Sequence, residues 1–150
     1  MLEAIEAFGP AAFLRTSFYA YPIINLIHVL AIGALVTAAA LMDLRVLGVG
    51  RAVPVDTVVR YLRLTAIVAL VIAILSGFTM FSVRPSEYFF SDVFRIKMLL
   101  LALALLNALL FTSFRAHRNA ESIGTKLMAL ISIGLWVSVA FAGRLIGYTM

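Results

Sequence analysis

Four stretches of this sequence, at about 22–47, 61–83, 94–114 and 123–148, are almost entirely apolar, and none contains a proline after its first position. A helix needs about 20 such residues to cross roughly 30 Å of hydrocarbon, and proline inside a span would break its hydrogen-bond ladder. Each stretch is therefore read as a transmembrane helix. They leave little else of the 150 residues, so the chain is one four-span domain with no room for a large extramembrane part. With 64% of residues hydrophobic and 13% charged, against about 45–50% and about 25% in soluble domains, composition agrees.

The connections GVGRAVPVD (48–56), RPSEYFFSD (84–92) and RAHRNAES (115–122) are short, so sequential helices are expected as antiparallel neighbours. The fold class is all-α: an integral membrane antiparallel four-helix bundle. Ahead of it, Leu2, Ile5 and Phe8 recur at helical spacing opposite Glu3 and Glu6 until Gly9-Pro10, which reads as a short interfacial N-terminal helix. A frayed terminus is the plain alternative. A cleaved signal peptide, flanked by Arg15, is disfavoured by the long apolar run and the acidic tail.

Net charge is +5, but the twelve Lys and Arg stand in ones and twos beside the spans, as membrane flanks do and nucleic-acid patches do not. Arg45, Arg51, Arg60, Arg63, Arg115, Arg118 and Lys126 gather on one side, and Arg15, Arg84, Arg95, Lys97 and Arg144 on the other. The excess of positive charge marks the cytoplasmic side, so both termini are expected outside a bacterial inner membrane. With no cysteine, disulfides, zinc thiolates, iron–sulfur clusters and thiol nucleophiles are excluded. Any metal must be held by His, Met, carboxylate or carbonyl.

At 100° per residue, Tyr21, Asn25, His28 and Asp43 fall within roughly 60° of one another on the first helix, and that face is expected to turn into the bundle, where polar groups find partners. Gly33 with Thr37, and Ala34 with Ala38, add spacings that let a helix approach closely. His28 lies about 9 Å into its span, in the outer half, whereas His117 is displaced by about 30 Å at the inner surface; the two cannot share one haem iron within a single subunit. Ser76, Thr79 and Met80 form one face of the second helix that should approach His28, which makes Met80 and Met98 the expected sulfur ligands beside it. Asp43 is expected to pair with Arg60, Arg63 or Arg115, and Asn107 to pin two helices. Arg95, Lys97 and Arg144 could clamp an anion or haem propionates at the outer mouth, or simply pair with Asp92, Glu87 and headgroups. Trp136, mid-span, is a packing residue or a cofactor wall.

Tyr21-Pro22, His28 followed by VLAIGAL, Asp43-Leu44-Arg45 with Gly48, Phe94-Arg95-Ile96-Lys97 before LLLALALLNALLF, and Trp136 with AGRLI (142–146) resemble a family of small bacterial four-helix inner-membrane proteins of uncharacterised function. The likeness covers residues 20–148. That family is distantly similar to the membrane domain of copper-resistance protein D and to four-helix b-type cytochromes. In the family it resembles, members often carry a histidine directly after NALLF; here Thr112 stands there, so if that histidine serves a cofactor, this chain has either lost a ligand or moved it to His117.

Three functions remain. The first is copper handling or haem b binding through His28 near the outer face, the neutral imidazole acting as ligand. The second is a cofactor-free accessory or scaffold subunit with a membrane or periplasmic protein partner, or with a second copy of itself. The third is a small transporter, for which four short-looped helices leave little lumen. No catalytic triad, phosphate loop or carboxylate pair points to an enzyme.

Overall fold

The computed structural model describes residues 17–113 and 121–149. The interfacial helix expected over residues 1–18 and the expectations for Arg115, His117 and Arg118 lie essentially outside these. Five helices follow in order: α1 (Ala20–Val46), α2 (Val55–Val83), α3 (Pro85–Phe90), α4 (Asp92–Ser113) and α5 (Ile123–Thr149). Four of them, all but α3, are long and apolar enough to cross a membrane. The chain is a multi-pass, all-helical membrane protein.

The helix ends follow local chemistry, which is why they depart from the apolar runs. The second helix starts at Val55 rather than near Tyr61, because Pro54 supplies the entry and its carbonyl accepts from the amides of Thr57 and Val58. Polar Asp56 and Arg60 thus extend the helix beyond its oily part. The 84–92 connection is not a plain loop: Pro85 at a helix start, where its missing N–H costs nothing, opens the single-turn-and-a-half α3. Ser91 then accepts the Phe94 amide through its hydroxyl at 3.4 Å and caps α4,. At the far end of α1, Gly48 (φ +103°) donates to the Arg45 carbonyl and Val49 to that of Leu44. This is a Schellman stop, which requires the left-handed conformation that glycine adopts without strain.

Around the bundle, α1 packs along α2 and α5, and α4 along α5. The fourth side, between α2 and α4, is different. Their backbones make no comparable approach among the described residues; they meet through side chains, with Phe81 stacked on Phe94 (centroids 5.6 Å apart) near one end and Arg63 bonded to Thr112 near the other. The core between is Leu35 and Ala39 of α1, Ala69 of α2, Ala104 of α4 and Trp136 of α5. Small residues let the helices close and the one indole fills what they leave, as expected where lipid removes the hydrophobic drive and packing must hold helices together. Large apolar side chains such as Leu30, Leu75, Leu99 and Phe141 face outward. An oily exterior over an alanine-lined interior suits a bilayer, not water.

The small-residue spacing of Gly33 and Thr37 does not serve a helix contact. Thr37 is exposed, and a side chain at Gly33 would meet nothing within 4 Å. The close approach uses Ala31, Ala38 and Ala39 instead.

Candidate functional site

The polar residues gather at the two ends of the bundle: the end carrying α3, called here the Tyr88 end, and the end carrying the 47–54 turn, the Asp43 end. At the Tyr88 end the centre is His28. Ser76 donates its only hydroxyl proton to a backbone carbonyl of its own helix, that of Ile72 at 2.6 Å with Ala73 at 3.3 Å. Its oxygen can then only accept, so the imidazole Nδ1, 2.9 Å away, must be the donor,. The ring is fixed as the Nδ1–H form, and in the neutral ring Nε2 keeps a bare lone pair. Ser76 is thus brought to His28 as its helical face implied, whereas Thr79 turns back to the Leu75 carbonyl at 2.7 Å.

The ring fits because residue 77 has no side chain. A Cβ at Gly77 would stand 2.9 Å from His28 Cε1 and 3.5 Å from Nδ1, closer than carbon atoms tolerate. Lys97 of α4 completes the layer. Its ammonium and Cε lie 3.5 Å from where a Cβ at Gly143 of α5 would be, and its charge acts on the imidazole. Two glycines on two helices therefore make room for a histidine and a lysine from the other two.

The three cations expected as one clamp are dispersed. Arg95 bonds the Phe89 carbonyl (3.1 Å) and Asp92 (3.5 Å), and Arg144 reaches Tyr148, bonding its hydroxyl at 3.2 Å and lying over its ring at 4.8 Å. Both are exposed; only Lys97 turns inward, because Arg95 and Arg144 have partners on their own surface and Lys97 has a glycine slot. Met98 is 46% exposed, on the lipid side rather than at His28, since it follows Lys97 by 100° on the helix. Met80 is half-buried, one turn beyond Ser76 toward the Tyr88 end. Asn25 is exposed. The buried arc of α1 centres near Leu35 and Val46, which leaves Asn25 at its edge, whereas Asp43 at the same angle is covered by α5.

Above this layer Tyr21 and Tyr88 place their hydroxyls 3.3 Å apart, and Tyr88 packs on Phe81 and Phe94 at 6.1 and 5.6 Å. Burial, then the Tyr21 hydroxyl, push the Tyr88 phenol well above the ordinary tyrosine range, so it stays neutral.

At the Asp43 end, Asp43 is 7% exposed and bonds Ser132 of α5. Its Oδ2 is buried with no hydrogen-bond partner among the described residues. The expected pairing with Arg60 or Arg63 is not formed: Arg60 is exposed and Arg63 bonds Thr112 Oγ1 at 2.7 Å. The position where the resemblance implied a histidine thus holds an arginine partner. Asn107 of α4 donates to the Met128 carbonyl of α5 at 3.2 Å, the interhelical pin expected of it. Because the Ser132 hydroxyl bonds the buried carboxylate, Ser132→Ala should destabilise the protein by about 1–3 kcal/mol, the cost of an unsatisfied buried polar group. Unfolding in mixed detergent micelles checks this; a loss below about 0.5 kcal/mol would contradict it.

Among the described residues no group of three or more His, Cys, Asp or Glu could hold a metal ion. Around His28 the described residues place the Ser76 hydroxyl and the Lys97 charge, with Met98 outside. Sequence reasoning overlooked Gly77, Gly143 and Ser132. Gly77 had a signal, since an isolated glycine inside a helical pattern usually has a packing reason.

Comparison with curated proteins and with solved structures finds no match, and no likeness to copper-resistance protein D or to a cytochrome emerges from it. The model of DUF6644, a family of unknown function, matches residues 15–149, and the chain belongs to that family.

Proposed function

We propose that this protein is a membrane-embedded binding module that takes an acid group, carboxylate or phosphate, between Lys97 and His28. One observation carries the reading: the Lys97 ammonium lies inside the bundle without an ion pair among the described residues. The ion pairs there are Arg84–Glu87 at 3.3 Å and Arg95–Asp92 at 3.5 Å, so the acids of this end are engaged at the surface. A charge within a membrane bundle needs a counter-ion or a functional reason. An anion supplies the first, and His28, able to gain a proton on Nε2, can donate to it as well. The same charge argues against a resident metal cation.

Purified protein in neutral detergent should be stabilised by at least one acid from a panel of phosphate, acetate and fatty acids, with a midpoint several degrees higher at saturation. Lys97→Gln should abolish the shift. If no acid distinguishes the two proteins, the reading is lost. Copper or haem at His28 would instead give one copper per chain or a Soret band that disappears in His28→Ala.

The site is read as facing outward in a bacterial inner membrane, because the opposite end carries more of the arginines,. The chain lacks cysteine, so Phe90→Cys and Val49→Cys, both at exposed positions, report orientation. An impermeant maleimide applied to intact cells should label the first and not the second; the reverse pattern inverts the topology.

A further inference from the structure

We infer that the acid is bound together with one proton, shared between its oxygen and Nε2 of His28, so that the species taken up is the neutral acid. This rests on the anion reading above and adds the protonation state of the ligand and the pH dependence of its binding.

The reason starts at Ser76. Its hydroxyl proton goes to the Ile72 carbonyl at 2.6 Å, and the imidazole Nδ1 stands 2.9 Å from the same oxygen. The backbone of Ala73 bonds the ring as well, and a carbonyl can only accept. Both partners therefore hold the ring proton on Nδ1, and a neutral imidazole has only one. If the ring turned over to the Nε2–H form, Nδ1 would present a lone pair to these oxygens. Nε2 thus meets an arriving acid as an acceptor. A carboxylate or phosphate oxygen is an acceptor too, and two facing lone pairs repel. One proton has to stand between them, as O–H···N if the acid keeps it and as O⁻···H–N⁺ if the imidazole does. Solvent supplies that proton, no bond other than O–H or N–H forms or breaks, and the net charge of the site stays as it was.

Among the described residues the other charges of this end are engaged elsewhere. α2 presents Ser76 and Gly77 to the ring, and α5 places Gly143 against Lys97; none of these three is ionisable. Arg95 is held by the Phe89 carbonyl and Asp92, Arg144 by Tyr148, and Glu87 by Arg84. Tyr88 of α3 faces the Tyr21 hydroxyl. Lys97 of α4 is left as the cation whose charge acts on the imidazole. Without an anion, a proton on Nε2 would set a second positive charge near the ammonium, and like charges disfavour one another. An anion reverses the balance: Lys97 answers its charge and His28 holds its proton.

Depth and cover favour the neutral species as well. His28 lies about 12 Å along α1, a helix of 27 residues that exceeds roughly 30 Å of hydrocarbon by only about 5 Å at each end. Phe81, Tyr88 and Phe94 pack ring on ring over the same end. An ionised group costs far more to strip of water than a neutral one, so an acid that passes this layer with its proton avoids the larger cost.

Calorimetric titration of the full chain in neutral detergent with acetate, octanoate and inorganic phosphate tests this. At about pH 7.5, a unit above the ordinary imidazole value, runs in Tris and in HEPES count the protons drawn from the buffer, because the two differ in ionisation enthalpy. The expected result is about one proton taken up per acid bound, with an affinity that falls about tenfold for each further unit of pH, as one linked proton requires. Binding without proton uptake, or with an affinity flat in pH, overturns the inference and leaves the anion reading standing. That count needs no variant, so a poorly folding mutant does not blunt it. His28→Gln can donate to the anion and cannot titrate, so it should bind without proton uptake. If it still takes up a proton, the proton belongs to Lys97 and the inference falls. Should none of the three acids bind the wild-type protein, the anion reading and this inference fall together.

Discussion

Trp136→Ala is expected to cost about 2–3 kcal/mol of stability, the largest loss from any single truncation in this chain. The indole belongs to one buried cluster with Leu35, Ala39, Ala69 and Ala104, which draws on all four spanning helices, and it is 5% exposed. In water a Trp→Ala core change costs about 3–5 kcal/mol, of which part is transfer free energy and part the cavity left behind. Within a bilayer the transfer part largely disappears, because lipid tails solvate the released surface as well as leucine does. The cavity part stays. A void on the order of 100 Å³ at about 24 cal/mol per Å³ gives about 2–3 kcal/mol, and three of its neighbours are alanines that cannot swing in to fill it. Reversible unfolding in mixed micelles, followed by helical circular dichroism, measures this. A loss under about 1 kcal/mol would mean that the helices collapse inward, contrary to a rigid alanine-lined frame. Trp136→Phe should recover more than half.

The second large effect is expected from Gly77→Ala, a change that ordinarily favours a helix by about 1 kcal/mol. Here the added methyl would stand 2.9 Å from His28 Cε1. Overpacking of this kind costs about 1–3 kcal/mol, and the cheapest relief is to expel the imidazole from its slot, which breaks the bond to Ser76 at 2.9 Å. The variant should be less stable than wild type despite its better helix former, and acid binding at Lys97 should weaken with it. A mutant cycle isolates the cause. In a His28→Ala background the methyl has nothing to strike, so Gly77→Ala should turn neutral or stabilising. If its cost is the same in both backgrounds, the ring does not occupy the position argued for it.

Much of this architecture was legible because membrane folding leaves few choices. An apolar run about 20 residues long, free of proline, has one stable form in hydrocarbon, since every backbone group must be satisfied within the segment. Short connections then dictate antiparallel neighbours. Helix limits were less legible, because Pro54, Pro85 and Ser91 set them through caps that hydropathy does not register. On α1 the angular argument placed His28 and Asp43 correctly, yet it failed for Asn25: periodicity gives the direction of a side chain and not whether a neighbouring helix is present at that height. The clamp failed for a related reason. Arg95, Lys97 and Arg144 share a level, but a level is a circle, and only glycine at 143 opened a place inside it for one of them. Opposite charge also misled at Asp43, where a serine bonds the carboxylate and Arg63 satisfies itself with Thr112. Charged partners are easy to name in a sequence, whereas a single hydroxyl in an oily helix looks like noise until the helices are assembled.

The separation of the two polar layers sets a limit on the electrical behaviour of the molecule. His28 and Asp43 stand 15 residues apart on one helix, about 22 Å along its axis, and the core between them is leucine, alanine and tryptophan. A proton leaving one layer meets no relay before the other among these core residues. The described core thus separates the two polar layers by an apolar zone, across which a voltage is worth about 2.3 kcal/mol per charge at 100 mV.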